Sequence, residues 1–145
     1  MKKVSEERKM LKHYIVPGDD FSAAGEASSS FKAVLKKLGI DQTVIRRISI
    51  AMYEAEINTI IHGGGGECDA EISGKTIRVT FRDNGPGIPD VGLAMQEGWS
   101  TASEQIREMG FGAGMGLPNI KKYTDDMIID TAPGKGTTIT LVINL

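Results

Sequence analysis

Glu54 and Asn58 stand four residues apart in a stretch with helical spacing, so both project from the same side of one helix. At 100° per residue they lie roughly 80–120° around from the apolar stripe centred on Ile48, at the edge of the face that must be buried. A carboxylate and an amide at that edge can share one ligand. The carboxylate can accept a proton, and the amide oxygen can bind a hard cation such as Mg²⁺. In isolation such a pair more often marks an exposed polar face.

Three further groups of residues have chemistry to offer. Asp83 shares parity with Ile77, Val79 and Phe81, so it points to the core side of a strand, where a carboxylate needs a hydrogen-bonding partner or a ligand. The turn Asn84-Gly85-Pro86-Gly87 follows at once and brings backbone close to whatever Asp83 touches. Such a carboxylate could accept from an exocyclic amino group such as adenine N6, or simply cap the turn. Gly110-Phe111-Gly112-Ala113-Gly114-Met115-Gly116 places a glycine at every second position ahead of a helix. Its backbone N–H groups suit an anion cradle, and a flexible hinge is the plainer alternative. A dinucleotide-binding fingerprint would need Gly at Met115 or Leu117, and a Walker A loop would need Ser or Thr where Gly136 follows Lys135. Thr137 shares parity with Ile139, Leu141 and Ile143, so its hydroxyl joins Asp83's side of the sheet and could satisfy that carboxylate directly or through water.

The elements that must hold these groups follow from periodicity. His13 to Val16 reads as a short strand closed by Pro17-Gly18, and Ala24 to Leu38 reads as a helix stopped by Gly39. Asp41 offers an N-cap to the helix carrying Glu54, whose stripe is Val44, Ile48, Met52, Ala55 and Thr59; Gly63 to Gly66 end it. Cys68, Ala70 and Ile72 alternate with acidic residues, and Ile77, Val79 and Phe81 alternate with polar ones across the turn at Ser73-Gly74-Lys75, so a hairpin is expected. From Asp83 to Gly116 the chain is loop-rich, with at most a short helix near Val91 to Gln96; a loop of that length points to a lid. A helix over Leu117–Tyr123, a strand over Met127–Thr131 and a last strand over Thr137–Asn144 complete the order. Strands with one apolar and one charged face imply a two-layer α+β sandwich with helices on one side.

Composition narrows the function classes. The 145 residues carry 17 basic and 19 acidic side chains, a net charge of −2 without a basic block, which disfavours nucleic-acid binding. Apolar runs are too short for a membrane span, and no signal peptide is visible. Cys68 is the sole cysteine and His13 and His62 the sole histidines, so neither a disulfide nor a multi-cysteine or His-rich metal centre is available, and a cytoplasmic location is expected. The positive anomaly is 18 glycines, clustered rather than spread.

Taken in order, the Glu-x-x-x-Asn helix, the Asp-x-Gly-x-Gly turn, the Gly-x-Gly-x-Gly segment and the Gly-Thr opening the last strand resemble the ATP-binding domain shared by gyrase, the heat-shock chaperone, histidine kinases and the mismatch-repair MutL proteins. This is the GHKL superfamily with its Bergerat fold, and the resemblance covers about residues 12–145, after a charged tail over 1–11. It implies a mixed sheet with helices on one face and an ATP lid over about 84–116. It also implies ATP and Mg²⁺ as ligands, Glu54 as general base and Asn58 as Mg²⁺ ligand. Asp83 would hold the adenine amino group, with Gly85, Gly87 and Ile88 about the ring and Thr137 in support. Gly112, Gly114, Met115, Gly116 and Leu117 would bound the lid over the phosphates. His62, four residues beyond Asn58, lies near that site at the helix end.

No transducer domain is expected after the last strand, and no helix pair bearing a phospho-accepting histidine before the domain. The chain is then most similar to the stand-alone serine/threonine kinases of bacterial partner-switching systems, the anti-sigma factor kinases and their stressosome switch relatives. Gly98-Trp99-Ser100-Thr101-Ala102-Ser103 followed by Gly112-Ala113-Gly114 resembles the switch-kinase lid. Met109 stands where anti-sigma kinases often carry an arginine, with Arg107 as a substitute phosphate contact, and Glu104 to Met109 lengthen the lid. The resemblance implies phosphorylation of a STAS-domain antagonist. It further implies contact with a sigma factor or PP2C-type phosphatase, and it is compatible with a homodimer. A non-catalytic nucleotide-gated binding module and a simple GHKL ATPase are the alternatives.

Overall fold

The computed structural model describes residues 9–18, 21–88, 95 and 116–145. The elements are β1 (Lys9–Val16), a single 3₁₀ turn (Phe21–Ala23), α1 (Glu26–Lys37), α2 (Gln42–Ile61), β2 (Gly66–Ser73), β3 (Thr76–Asp83), α3 (Gly116–Tyr123), β4 (Asp126–Thr131) and β5 (Thr137–Asn144). The tail before Lys9, most of the expected lid, Trp99, Arg107, Gly112, Gly114 and Met115 lie outside the described residues.

The five strands form one sheet in the order β1-β2-β3-β5-β4, and all four pairings are antiparallel. The expected mixed sheet is therefore corrected, and connectivity gives the reason. Two successive helices, α1 and α2, carry the chain out and back, so β2 returns against β1. The single helix α3 does set β4 running in the same direction as β3. The two never pair, because β5 lies between them and opposes both. The first strand also starts at Lys9 instead of His13, since Lys9 to Lys12 continue the ladder against Ser73 to Ala70.

The helices cover one face of this sheet. Cys68, Ala70, Val79, Phe81, Ile139 and Leu141 meet Phe31, Leu35, Ile48, Met52 and Ile120 in one buried core. Burying each of the large side chains is worth about 1.5–3 kcal/mol. Asp41 caps α2 as its sequence predicts, its carboxylate accepting from the Thr43 N–H at 3.1 Å. The buried surface of α2 is wider than one stripe: Ile45, Ala51, Glu56, Ile57 and Ile60 are buried as well. The cause is its position, with α1 on one flank, α3 on the other and the sheet beneath.

Glu56 is the exception that the apolar pattern hides. Its carboxylate is 2% exposed and accepts from the backbone N–H groups of Gly25 (3.0 Å), Ala27 (3.1 Å) and Ser28 (3.0 Å), and from the Ser28 hydroxyl (3.0 Å). Helix α1 opens on Gly25, which has no side chain to cap it, so a carboxylate borrowed from α2 takes the orphan donors of the first turn. The same contact favours a negative charge at the positive end of α1, and it fixes α1 to the helix that carries Glu54 and Asn58.

The other face of the sheet is open and charged. Asp69 accepts from His13 Nδ1 at 2.6 Å and from Arg82 across the β1–β2–β3 ladders. Those two bonds, His13 first and Arg82 second, hold its carboxyl below the usual range.

Candidate functional site

Asp83 closes β3 at the centre of the sheet, opposite Gly66 of β2 and Thr137 of β5. It is half-buried, on the helix-facing side that its parity predicts. Its Oδ1 accepts from the Gly85 N–H at 2.9 Å, the turn that Asn84-Gly85 was expected to make, and from the Thr137 N–H at 3.2 Å. One carboxylate oxygen is thus taken up by backbone. Oδ2 is the one toward which the end of α2 closes: a Cβ on Gly63 would stand 2.4 Å from it. The glycine run after α2 does more than stop the helix. Only an unsubstituted Gly63 lets the chain pass this close to the carboxylate.

The turn beyond Asp83 is held to the β4–β5 hairpin. The Ile88 N–H donates to Thr131 Oγ1 at 2.8 Å, and the Gly134 N–H donates to the Pro86 carbonyl at 2.8 Å. Gly87, at φ 80°, lies so near this hairpin that a Cβ would meet the Ala132 carbonyl oxygen at 2.4 Å. Thr137 is 5% exposed, and its hydroxyl sits 2.9 Å from Thr131 Oγ1. Direct support for Asp83 comes from the Thr137 backbone, and the Thr137 hydroxyl bonds to Thr131. The pairing explains it: Thr131 and Thr137 stand directly opposite in the β4–β5 ladder.

On α2, Glu54 and Asn58 are half-buried at the edge of the packed face. Glu54 Oε2 accepts from the Asn119 side-chain amide of α3 at 3.1 Å. His62 caps the C-terminus of α2, its N–H donating to the Asn58 carbonyl at 2.9 Å. Burial lowers the pKa of its imidazole, and the nearby Asp83 partly opposes that shift. Leu117 is buried, in the first turn of α3, which begins at Gly116. Cys68 is fully buried and its thiol is pushed up by that burial, so it has no nucleophilic role.

The geometry gathers Asp83, Gly85, Gly87, Ile88, Gly63 and Thr137 around one end of α2. Asn58 and Glu54 stand one and two turns further back along the same helix. Glu54 lies seven positions before Ile61, the last residue of α2, about 10 Å at the helical rise. Among the described residues no cluster of His, Cys, Asp and Glu could hold a metal ion by itself. An amide oxygen alone suits a cation that keeps its waters and rides on phosphates, which is how Mg²⁺ behaves. Gly63 and Gly85 pass so close to each other and to Asp83 that a Cβ on either would clash, which brings bare backbone against the carboxylate. No described helix is long and apolar enough to cross a membrane.

Thr131, Asn119, Gly63 and Glu56 were not evident as functional positions from spacing. Glu56 alone carried a signal, since it follows Met52 by four on the apolar stripe and a carboxylate there requires donors.

Comparison with known proteins identifies the family. Residues 43–145 match the family model described as histidine kinase-, DNA gyrase B-, and HSP90-like ATPase. The chain is 32% identical over 110 residues to the serine/threonine-protein kinase RsbT of Bacillus subtilis (strain 168), covering 73% of this chain and 77% of that protein. It is 31% identical over 136 residues to the anti-sigma F factor of Bacillus velezensis, covering 87% and 90%. Among solved structures, that of the RsbU and RsbW domains of a Mycobacterium tuberculosis protein superposes with a TM-score of 0.63 at 20% identity. That match covers 92% of this chain but spans only 32% of the longer one, and it bears on the fold alone. The chain belongs to the family of histidine kinase-, DNA gyrase B- and HSP90-like ATPases.

Proposed function

We propose that the protein is an ATP-dependent serine/threonine kinase of a bacterial partner-switching system. Its substrate class is a hydroxyl on a STAS-domain antagonist, and it works in the cytoplasm. The observation that carries this reading is the placement of Asn58 and Glu54 along α2, one and two turns back from the helix end that packs on Asp83. The names of the relatives, a serine/threonine-protein kinase and anti-sigma F factors, support the substrate class.

In this reading Asp83 Oδ2 accepts from the adenine amino group, Gly85, Gly87 and Ile88 enclose the ring, and Thr131 and Thr137 hold that turn in place. Asn58 gives its amide oxygen to Mg²⁺, which neutralises phosphate charge when bound with ATP. Glu54 takes the proton of the serine or threonine hydroxyl as its oxygen bonds to the γ-phosphorus. The bond from that phosphorus to the β–γ bridging oxygen breaks, and ADP leaves with the electron pair. Gly112, Gly114, Met115, Gly116 and Leu117 belong to the segment over the phosphates, with Arg107 as a further contact.

A second reading follows from the relatives named anti-sigma F factors. In it the domain grips a sigma factor or a PP2C-type phosphatase when nucleotide is bound, without transfer. The two separate in one assay. Wild-type protein is incubated with γ-labelled ATP and Mg²⁺ in an extract of the source cells, beside Glu54→Ala. A labelled small protein that appears only with wild type is the expected result. Absence of label from both, despite ATP binding, would replace the kinase by the binding module.

A further inference from the structure

We propose that Asn119 is a positioning residue for Glu54: its side-chain amide holds one oxygen of the carboxylate so that the other is presented for proton transfer. The inference rests on Glu54 being the base of the reaction above.

A glutamate at the edge of a helix has three rotatable side-chain bonds and, left alone, samples many orientations. Here it does not stand alone. Asn119 Nδ2 donates to Glu54 Oε2 at 3.1 Å, from α3, which packs directly on α2. Asn119 is itself held in place. Leu117 and Ile120 on either side of it are buried, at 5% and 0% exposure, which fixes the rotation of α3 about its axis. The far end of the helix is pinned by Arg47, whose Nε donates to the Tyr123 carbonyl at 3.2 Å and whose Nη2 meets Asp125 Oδ1 at 3.0 Å. Arg47 precedes Glu54 by two helical turns, so both attachments lie along one side of α2, and α3 runs antiparallel to it. Between two fixed points α3 can neither slide nor turn without breaking one of them.

The chemistry of the donor suits this task. An amide orients a carboxylate without bringing a full charge, whereas a lysine at the same place would hold the proton-accepting group in its ionised form and weaken it as a base. The bond occupies Oε2 and leaves Oε1 for the substrate hydroxyl. A misplacement of about 1 Å in a reacting group costs as much as a hundredfold in rate.

The test uses the intact chain and two substitutions. Asn119→Asp keeps the shape of the side chain but cannot donate to an ionised carboxylate; Asn119→Ala removes the group. Label transfer from γ-labelled ATP with Mg²⁺ in cell extract is measured beside equilibrium ATP binding and the thermal midpoint. Both variants should transfer about tenfold more slowly or worse, with ATP affinity within about twofold of wild type and an unchanged midpoint for Asn119→Asp. Wild-type transfer by Asn119→Asp would overturn the inference and leave the kinase reading intact. Loss of ATP affinity in step with transfer would also overturn it, since Asn119 would then belong to the nucleotide pocket. Equal transfer by wild type and Glu54→Ala would remove Glu54 as base, and the inference with it.

Discussion

Asp83, proposed here to hold the adenine amino group, has its two carboxylate oxygens in different surroundings. Two backbone N–H groups occupy Oδ1, and Gly63, having no side chain, lets the end of α2 pack directly beside Oδ2. Replacing Asp83 by Asn turns that acceptor into a group that presents its own N–H in one of its two orientations. A hydrogen bond to a charged group is worth about 1.5–3 kcal/mol, so Asp83→Asn should weaken ADP and ATP alike by roughly 10- to 150-fold. Equal loss for both nucleotides identifies a contact to the base, whereas loss for ATP alone would place the contact at the phosphates. His62 gives a pH test at the same end of α2. Burial depresses its folded-state pKa, so between its folded and unfolded values the unfolded chain binds more protons. Stability is then greatest above the ordinary histidine range and falls as the pH drops through and below it. His62→Gln should flatten the dependence of the thermal midpoint between about pH 7.5 and 5.5. Asp83 was legible in the sequence because strand parity put a charge on the core side. Thr131 was not, because a threonine at a strand end reads first as β-propensity. Asn119 gave no pattern at all: its partner lies 65 positions away.

At the level of elements, α2 organises the molecule. It lends Glu56 to α1, holds α3 through Arg47 and Glu54, and delivers Gly63 to Asp83. Glu56→Ala would strip the first turn of α1 of its acceptor and leave buried N–H groups unpaired. It should cost about 2–4 kcal/mol in urea unfolding, and a loss below about 1 kcal/mol would mean that α1 finds its cap elsewhere. The helices and strands themselves could be placed from the sequence to within a few residues, because apolar period and glycine or proline stops agree at nearly every boundary. Pairing direction could not. The alternation within β4 and β5 is the same whichever strand lies beside β3, and only the insertion of β5 between β3 and β4 makes the sheet wholly antiparallel.

Across the described residues, the helix-covered face of the sheet supplies the core and the ends of its central strands carry the proposed site. Asp83, Gly66 and Thr137 meet at one end of β2, β3 and β5, where α2 also finishes. The opposite face carries the Asp69 network with exposed His13 and half-exposed Arg82, and contributes little to stability. The order of the glycine-rich motifs made the family legible before any fold was known, and among the described residues Gly63, Gly65, Gly66, Gly85, Gly87 and Gly136 stand where backbone approaches its neighbours closely. The most direct measurement of the account is a calorimetric titration of ATP with Mg²⁺ into wild type, Asp83→Asn and Glu54→Ala. The account predicts one nucleotide per chain for wild type and Glu54→Ala with similar affinity, and binding weakened at least tenfold for Asp83→Asn. Undiminished binding by Asp83→Asn, or none by wild type, would contradict it.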